Sequence, residues 1–434
     1  MEGLTLGMFR ALLLPALLIG CTPLPKVPPP VILVSIDGFR ADYLDRGLTP
    51  VLSGLAQEGV RAAALVPVFP TQTFPNHYSI ATGRWPGMHG IIGNQFFAPE
   101  LGRRFQMSDR DAVHDPRFWG AEPVWVTAER QRVRTAPLFW PGSETAIDGV
   151  RPTYMLPYNN EMPDRARVQQ VLEWLDLPPD RRPAFLTLYT SVVDAAGHDF
   201  GPDAPETRRA IVQADSTVGL LLAGLKSRRM EQKVDLIVVS DHGMAATSPS
   251  RVIYLDDYVD RDAVEVDALS PVLMLRPRTG LEDSVYRGLR SAPQLTAYRR
   301  GELPRRFHLA ESPRVPPLVG LADEGWVIRW RGRSARVGLG GHGYDDSLAS
   351  MRAVFIAHGP DFRRGIVVPE FRNIHVYALL AELLRIKPAV TDGSLDSVRA
   401  MLNRASTTSG TGRVPGSPSA AATRGDSSAA RAPR

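Results

Sequence analysis

The chain reads as an α/β protein built on a largely parallel sheet with helices on both faces. Three observations point there. Val31–Ile36, residues 184–191 and residues 234–239 are short, nearly continuous apolar runs, the pattern of strands buried on both sides. Amphipathic stretches of helical length alternate with them, which favours crossover connections over hairpins. The 434 residues are 44% hydrophobic and 22% charged, enough for one large core with insertions.

The first thirty residues stand apart. Arg10 precedes an apolar run, residues 11–19, that is too short to span a bilayer as a helix and suits a signal peptide. Met8 is an alternative start. The run closes on Leu18-Ile19-Gly20-Cys21, which resembles the lipobox of bacterial lipoproteins, where the cysteine becomes the lipidated N-terminus. Cys21 is the only cysteine, so no internal disulfide can form. Residues 22–30 hold five prolines and read as an extended spacer. The α/β body is expected over 31–405, with a Ser/Ala/Gly/Arg-rich disordered tail over 406–434. The net charge of +5 is scattered arginine with no helix-turn-helix or zinc-finger spacing, so sequence-specific nucleic-acid binding is not expected.

Within the body, the first strand ends at Asp37-Gly38, and a helix follows with Thr49 as cap, Pro50 in its first position and Gly59 closing it. Pro67, Pro70 and Pro75 break the next stretch, and a short helix is expected from Asn76 to Thr82, ended by Gly83. Thr73 then lies where free backbone N–H groups converge, a place to hold an anion; as mere helix caps, Thr71 and Thr73 would need no such role. Residues 95–141 read as an irregular insertion. Its aromatics Phe96, Phe97, Phe118, Trp119 and Trp125 either roof a site or pack the insertion onto the body. The second strand runs into Asp194-Ala-Ala-Gly-His198, before a long helix from an Asp203 cap to about Lys226. The third ends at Ser240-Asp241-His242-Gly243. Residues 245–340, rich in Arg and Pro, read as a capping insertion with short strands near 272–275 and 326–330. A fourth strand, 353–357, follows Gly341-His342-Gly343, and a helix over 373–385 closes the body.

In a parallel sheet ligands gather beyond the carboxyl ends of the strands. Asp37, Asp194 and Asp241 all follow strands closely. One aspartate there is usually a turn former; three, two of them with a histidine, ask for more. With His198, His242 and His342 they offer three carboxylates and three imidazoles and no thiolate, a set suited to open zinc sites or another first-row metal. Six ligands and a hydroxyl suit two cations sharing an anion, and a metal-held Thr73 would need no separate base. His77 lies one turn beyond Thr73, where it can orient the site. The remaining histidines, His89, His114, His308, His358 and His375, are read as structural.

The segments T-Q-T-F-P-N-H, G-I-I-G-N, D-A-A-G-H-D-F-G-P, S-D-H-G-M and G-G-H-G-Y, spread in this order through the body, resemble the nucleotide pyrophosphatase/phosphodiesterase family of the alkaline phosphatase superfamily. The resemblance implies an alkaline-phosphatase-like three-layer sandwich with a small capping insertion, here as a minimal bacterial catalytic domain. It implies two Zn2+ per chain, one on Asp194, His198 and His342, the other on Asp37, Asp241, His242 and the nucleophile Thr73. It further implies that Asn94 and the Phe74 N–H hold a phosphoryl oxygen, and that Phe74 and Tyr189 sandwich a nucleobase. The expected reaction is hydrolysis of phosphodiester and pyrophosphate bonds to nucleoside 5′-monophosphates through a threonine-bound intermediate. The alternatives are a choline phosphodiesterase and a phosphomonoesterase; the latter would need a cation such as Arg84 facing the site. The C/S-x-P-x-R setting of sulfatases is absent. A monomeric lipoprotein of the periplasm or cell envelope, anchored through Cys21, is expected. In membrane fractionation, Cys21→Ser should then release the protein or leave it unprocessed; an unchanged distribution would rule the anchor out.

Overall fold

The computed structural model describes residues 28–332 and 336–403; Cys21 with its lipobox, most of the proline-rich spacer and the 406–434 tail lie outside the described residues. The body is built, in chain order, from β1 (Val31–Ile36), α1 (Pro50–Glu58), β2 (Val60–Ala62), α2 (Thr73–Thr82), β3 (Thr135–Pro137), α3 (Asp164–Leu175), β4 (Phe185–Thr190), α4 (Val192–Phe200), α5 (Pro205–Ser227), β5 (Asp235–Val239), β6 (Phe355–His358), β7 (Ile366–Val368) and α6 (His375–Leu383). The seven strands form one sheet in the order β7-β2-β6-β5-β1-β4-β3.

β1 sits near the middle, parallel to β4 on one side and β5 on the other. Every residue of these three strands is buried. Their side chains alternate between two cores. Val31 and Leu33 of β1 join Ile237 and Val239 of β5 under α2 and α6. Ile32, Val34 and Ile36 join Leu236 and Val238 under α1, α3 and α5. This is why the runs are apolar without alternation, and each such side chain contributes roughly 1.5–3 kcal/mol by leaving water. The result is the expected helix–sheet–helix layering. β6 departs from the parallel pattern, running antiparallel to both β5 and β2.

Several boundaries differ from expectation for local reasons. α2 begins at Thr73 rather than Asn76, because Pro75 falls in the first turn, where its missing N–H is not needed. Thr49 makes no side-chain cap on α1; buried Asp215 of α5 accepts from the free N–H groups of Val51 and Leu52 at 3.2 and 2.8 Å instead. α5 likewise starts at Pro205 with no side-chain cap, and α6 spans only nine residues.

The 95–141 stretch is less irregular than expected. It holds the hairpin Gln95–Ala98/Arg103–Gln106, the helix Val124–Arg130 and, as β3, an edge strand of the main sheet. Phe96, Phe118, Trp119 and Trp125 are buried in the α2-side core, so these aromatics pack the insertion down rather than roof a site. The capping region is a separate small layer. Val264–Ala268, Val272–Pro277, Leu318–Ala322 and Leu295–Arg299 form an antiparallel sheet, in that order, with its own core against the helix Glu282–Ser291. Its two ends meet: Ala245–Ala246 pairs with Gly340–Gly341. The insertion therefore leaves and rejoins the body at one point, between His242 and His342.

Candidate active site

The carboxyl ends of β5, β1 and β4 deliver Asp241, Asp37 and α4 to one place. The Asp37 N–H donates to Thr190 O at 2.9 Å, extending the strand pairing by one residue. Gly38 then turns with φ +69°, and a Cβ there would stand 2.9 Å from the Asp194 Cα, so only glycine lets these two acids approach. Asp194 and His198 lie four apart on α4 and share a face, with Asp194 Oδ1 3.5 Å from His198 Nε2. His342 Nε2 lies 3.6 Å from the same oxygen. His242 Nε2 lies 3.0 Å from Asp241 Oδ2 and 3.6 Å from Asp37 Oδ1. All six sequence-predicted ligands thus converge.

The three histidines are aimed alike. Nδ1 of His198 donates to Gly340 O at 3.1 Å, Nδ1 of His242 to Gly243 O at 2.9 Å, and Nδ1 of His342 to Thr71 O at 2.8 Å. A carbonyl oxygen can only accept, so each Nδ1 carries the proton and each Nε2 is turned toward the acids. Such fixing of the far nitrogen is how a metal-binding imidazole is oriented. Gly340 permits its share, since a Cβ there would collide with the carbonyl of Gly197 on α4.

Thr73, first residue of α2, places Oγ1 3.4 Å from His242 Nε2. Asn94 Oδ1 accepts from the Phe74 N–H at 2.9 Å, and its own N–H donates to Gln72 Oε1 at 2.9 Å. That leaves the Asn94 amide NH2 as the free donor beside Thr73. His77 is buried between Thr73 O, 2.9 Å from Nδ1, and Ser35 Oγ, 2.8 Å from Nε2. Both ring nitrogens are engaged, so it bolts α2 to β1, with Nδ1 also 3.4 Å from Asp241 Oδ2.

Charge is poorly matched within the cluster. Asp37 Oδ1, Asp194 Oδ1 and Asp241 Oδ2 are buried and make no hydrogen bond. Burial, then the charges of Asp241 and Asp194, hold the Asp37 carboxyl well above the usual range. Burial also raises Asp194, against the opposing pull of His198 and His242. Asp241 is buried too, but His242 and His77 pull it below the carboxylate range. Burial lowers His242, yet Asp241, Asp37 and Asp194 carry it up to about 10. Burial and its neighbours His242 and His198 push His342 well down. Three orphaned carboxylate oxygens facing three pre-aimed imidazole nitrogens fit divalent cations. Asp194, His198 and His342 form one group, Asp37, Asp194 and His242 a second, and Asp37, His77 and Asp241 a third, with all ligand atoms of each group within 4.8 Å.

Comparison with known proteins agrees with this geometry. The profile of the family described as Type I phosphodiesterase / nucleotide pyrophosphatase matches residues 31–345. The chain belongs to that family. An uncharacterized pyrophosphatase/phosphodiesterase of Schizosaccharomyces pombe is 40% identical over 382 residues, 84% of this chain and 79% of the relative. Ectonucleotide pyrophosphatase/phosphodiesterase family member 1 of Homo sapiens is 38% identical over 389 residues, 86% of this chain, which spans only 42% of that longer protein. Murine ectonucleotide pyrophosphatase/phosphodiesterase 5, solved as an inactive threonine-to-alanine variant in complex with AMP, superposes with a TM-score of 0.83 at 37% identity, covering 86% of this chain and all of that one.

For a member of this family the two aromatics singled out from sequence sit differently. Phe74 is half-buried and lines a slot beside Thr73, together with Phe139, Trp140, Pro141 and Tyr189, with the charged pair Arg110 and Glu144 at its side. Tyr189 is 7% exposed; its hydroxyl donates to Asp37 Oδ2 at 2.6 Å and its ring lies edge-on to His77. Tyr158, which the sequence reading passed over, is the half-buried tyrosine of the same slot. It lies in a loop without periodicity, and only the neighbouring Trp140-Pro141-Gly142 turn could have drawn attention to that side. Gln72 was also missed as the residue that fixes Asn94.

Buried Thr71 holds the His342 loop in place: Oγ1 accepts from the Gly343 N–H at 2.9 Å and donates to Tyr344 O at 3.0 Å. Thr71→Val keeps the shape and strands both groups. Chemical denaturation should report a loss of about 1–3 kcal/mol; unchanged stability would mean this loop does not depend on the threonine.

Proposed function

We propose that the protein is a zinc-dependent hydrolase that cleaves nucleotide phosphodiester and pyrophosphate bonds and releases nucleoside 5′-monophosphates. The observation that carries this is the Thr73 hydroxyl, at the N-terminus of α2 and 3.4 Å from His242 Nε2, within a cluster where the acids and histidines converge. Asp194, His198 and His342 would hold one Zn2+, and Asp37, Asp241 and His242 with Thr73 the other. When bound, the cations would supply Lewis-acid charge that favours the ionised hydroxyl and the departing oxygen.

The chain's own groups do the rest. Thr73 Oγ1 attacks phosphorus, the bond to the leaving oxygen breaks, and a nucleotidyl-threonine forms; water then cleaves it with return of the threonine hydroxyl. The Asn94 NH2 and the dipole of α2 oppose the charge that spreads over the non-bridging oxygens. A mouse relative solved as an inactive threonine-to-alanine variant with AMP is consistent with both a nucleophilic threonine and a nucleotide product here. Arg84 bears on the monoesterase alternative. It pairs with Asp392 at 3.1 Å just past the far end of α2, about 15 Å of helix away from Thr73. With neutral Asn94 beside the nucleophile, a doubly ionised monoester is disfavoured.

Base binding falls to Phe74 and Tyr158. Tyr189 also borders the slot, with its hydroxyl held by Asp37. Thr73→Ala should retain zinc in elemental analysis yet lose at least ~10³-fold in turnover of para-nitrophenyl thymidine monophosphate, and chelation followed by zinc should abolish and restore wild-type activity. Near wild-type turnover by Thr73→Ala would remove it as nucleophile. Tyr158→Ala should raise KM for that nucleotide about tenfold through lost stacking, with little change for base-free bis-para-nitrophenyl phosphate. Equal effects on the two substrates, or a larger nucleotide-specific effect from Tyr189→Phe, would return the base to Tyr189.

A further inference from the structure

The acids and histidines gather beyond the carboxyl ends of the strands, and the opposite end of the sheet has a different chemistry. The six residues of β1 separate the two ends by roughly 20 Å. The chain enters the described residues at this opposite end. The Asp235 N–H donates to Pro30 O at 2.9 Å and the Val31 N–H to Ala184 O at 2.8 Å, so residues 28–30 emerge between β4 and β5, near the middle of the sheet.

Exposed cations lead into four of the strands that begin here. Arg132 and Arg134 precede β3, Arg181 precedes β4, Lys226, Arg229 and Lys233 precede β5, and Arg363 and Arg364 precede β7. Exposed Lys387, just past α6, is tied to the same face by Gln131, which bonds its backbone N–H and C=O at 2.9 Å each. None of Arg132, Arg134, Arg181, Lys233 and Lys387 forms an ion pair with any described residue. The acids of this face are fewer. Asp176 is taken by Arg228 at 2.8 Å and Glu58 lies 3.9 Å from His358, while Asp180, Glu231, Asp361 and Glu382 are spread among the cations. Helix dipoles favour cations at carboxyl ends, which accounts for Lys226 and Arg229 at the end of α5. The others stand in loops, where the fold does not ask for charge. The chain has four lysines: Lys26, in the proline-rich spacer outside the described residues, and Lys226, Lys233 and Lys387, all on this face.

These charges are spaced over the width of the seven-stranded sheet, about 30 Å from β3 to β7. Donors that hold one small anion converge on it; donors spread over such a width match an extended anionic surface. The covering surface is also constrained by the chain itself. The spacer that emerges from the middle of this face leads back to Cys21 and the apolar run of residues 11–19, segments suited to a bilayer. A nucleic acid laid on the face would have to share it with that spacer.

We propose that this end of the sheet lies on an anionic lipid bilayer and holds the catalytic end outward, away from the membrane. The attraction acts over about 8 Å at physiological ionic strength, so it adds to any anchor and orients the domain on it.

The test labels the full-length protein with a membrane-impermeant amine reagent, on phosphatidylcholine vesicles with and without phosphatidylglycerol, and reads each lysine by mass spectrometry. Lys226, Lys233 and Lys387 should each be labelled at least ~3-fold less on the vesicles that contain phosphatidylglycerol, and high salt should restore the labelling. Arg134→Glu combined with Arg181→Glu should restore it too, while turnover of para-nitrophenyl thymidine monophosphate, at the far end of the sheet, stays as in the wild type and shows the variant to be folded. Equal labelling on the two kinds of vesicle would overturn the proposal. Protection by double-stranded DNA but by neither vesicle would overturn it as well and assign the face to a nucleic acid.

Discussion

Three carboxylates are forced together in a buried place, and the rest of the site is arranged around that strain. Asp37 and Asp194, and Asp37 and Asp241, bring oxygens within 4.8 Å of each other. Two full negative charges at that spacing repel by roughly 3 kcal/mol even at an effective dielectric constant near 20, and burial adds desolvation to each. An apolar interior does not tolerate this without a compensating positive charge. Against the opposing effect of burial, the three acids draw the His242 pKa up to about 10, a measure of how strongly the cluster favours added positive charge. Two divalent cations would carry it better, and each orphaned carboxylate oxygen is already free to meet one.

The fold gives up local freedom to keep this arrangement. Gly38 turns in a backbone conformation that side chains resist, and Gly340 lies against the Gly197 carbonyl where no Cβ fits. Three backbone carbonyls are spent on imidazole Nδ1 groups. The stacked rings of His242 and His342, with centroids 3.6 Å apart, join the two halves of the cluster across the point where the capping insertion enters and leaves. One face of the insertion forms its own core, while Val272, Met274, Val319 and Leu321 pack into the α2-side core, and its lower edge brings Ala268, Ser270 and Pro271 near His198 and His342.

How much of this was legible in the sequence follows from which interactions are local. β1, β4 and β5 could be read because burial on both faces leaves an unbroken apolar run. Asp194 and His198 could be paired because four residues on a helix define one face. The cap on α1 could not be read, since Asp215 lies 163 residues from the Leu52 N–H it accepts. β3 is three residues long and carries no pattern; only its pairing with β4 makes it a strand. Tyr189 was singled out only through the family resemblance; its hydroxyl bond to Asp37 could not be read from spacing, since it spans 152 residues. Tyr158 enters the slot from a loop, where nothing in spacing announces it.

Thr71, Gln72 and Thr73 show how three adjacent residues can serve three separate parts of one reaction. Gln72 is extended, with φ −120° and ψ 156°, immediately before the helix starts. In extended backbone successive side chains point opposite ways. Gln72 reaches the Asn94 N–H through its side-chain oxygen, while Thr71 and Thr73 contact the histidine cluster through a backbone carbonyl and a hydroxyl. Thr71 fixes His342 through its carbonyl and the following glycine through its hydroxyl. Thr73 begins α2 with its hydroxyl at His242. A shift of this segment would disturb His342, the Thr73 hydroxyl and Asn94 together. Pro70 before it and Pro75 after it limit such a shift by fixing φ at both ends. The prolines that obscured the helix start in the sequence are thus part of what holds the nucleophile still.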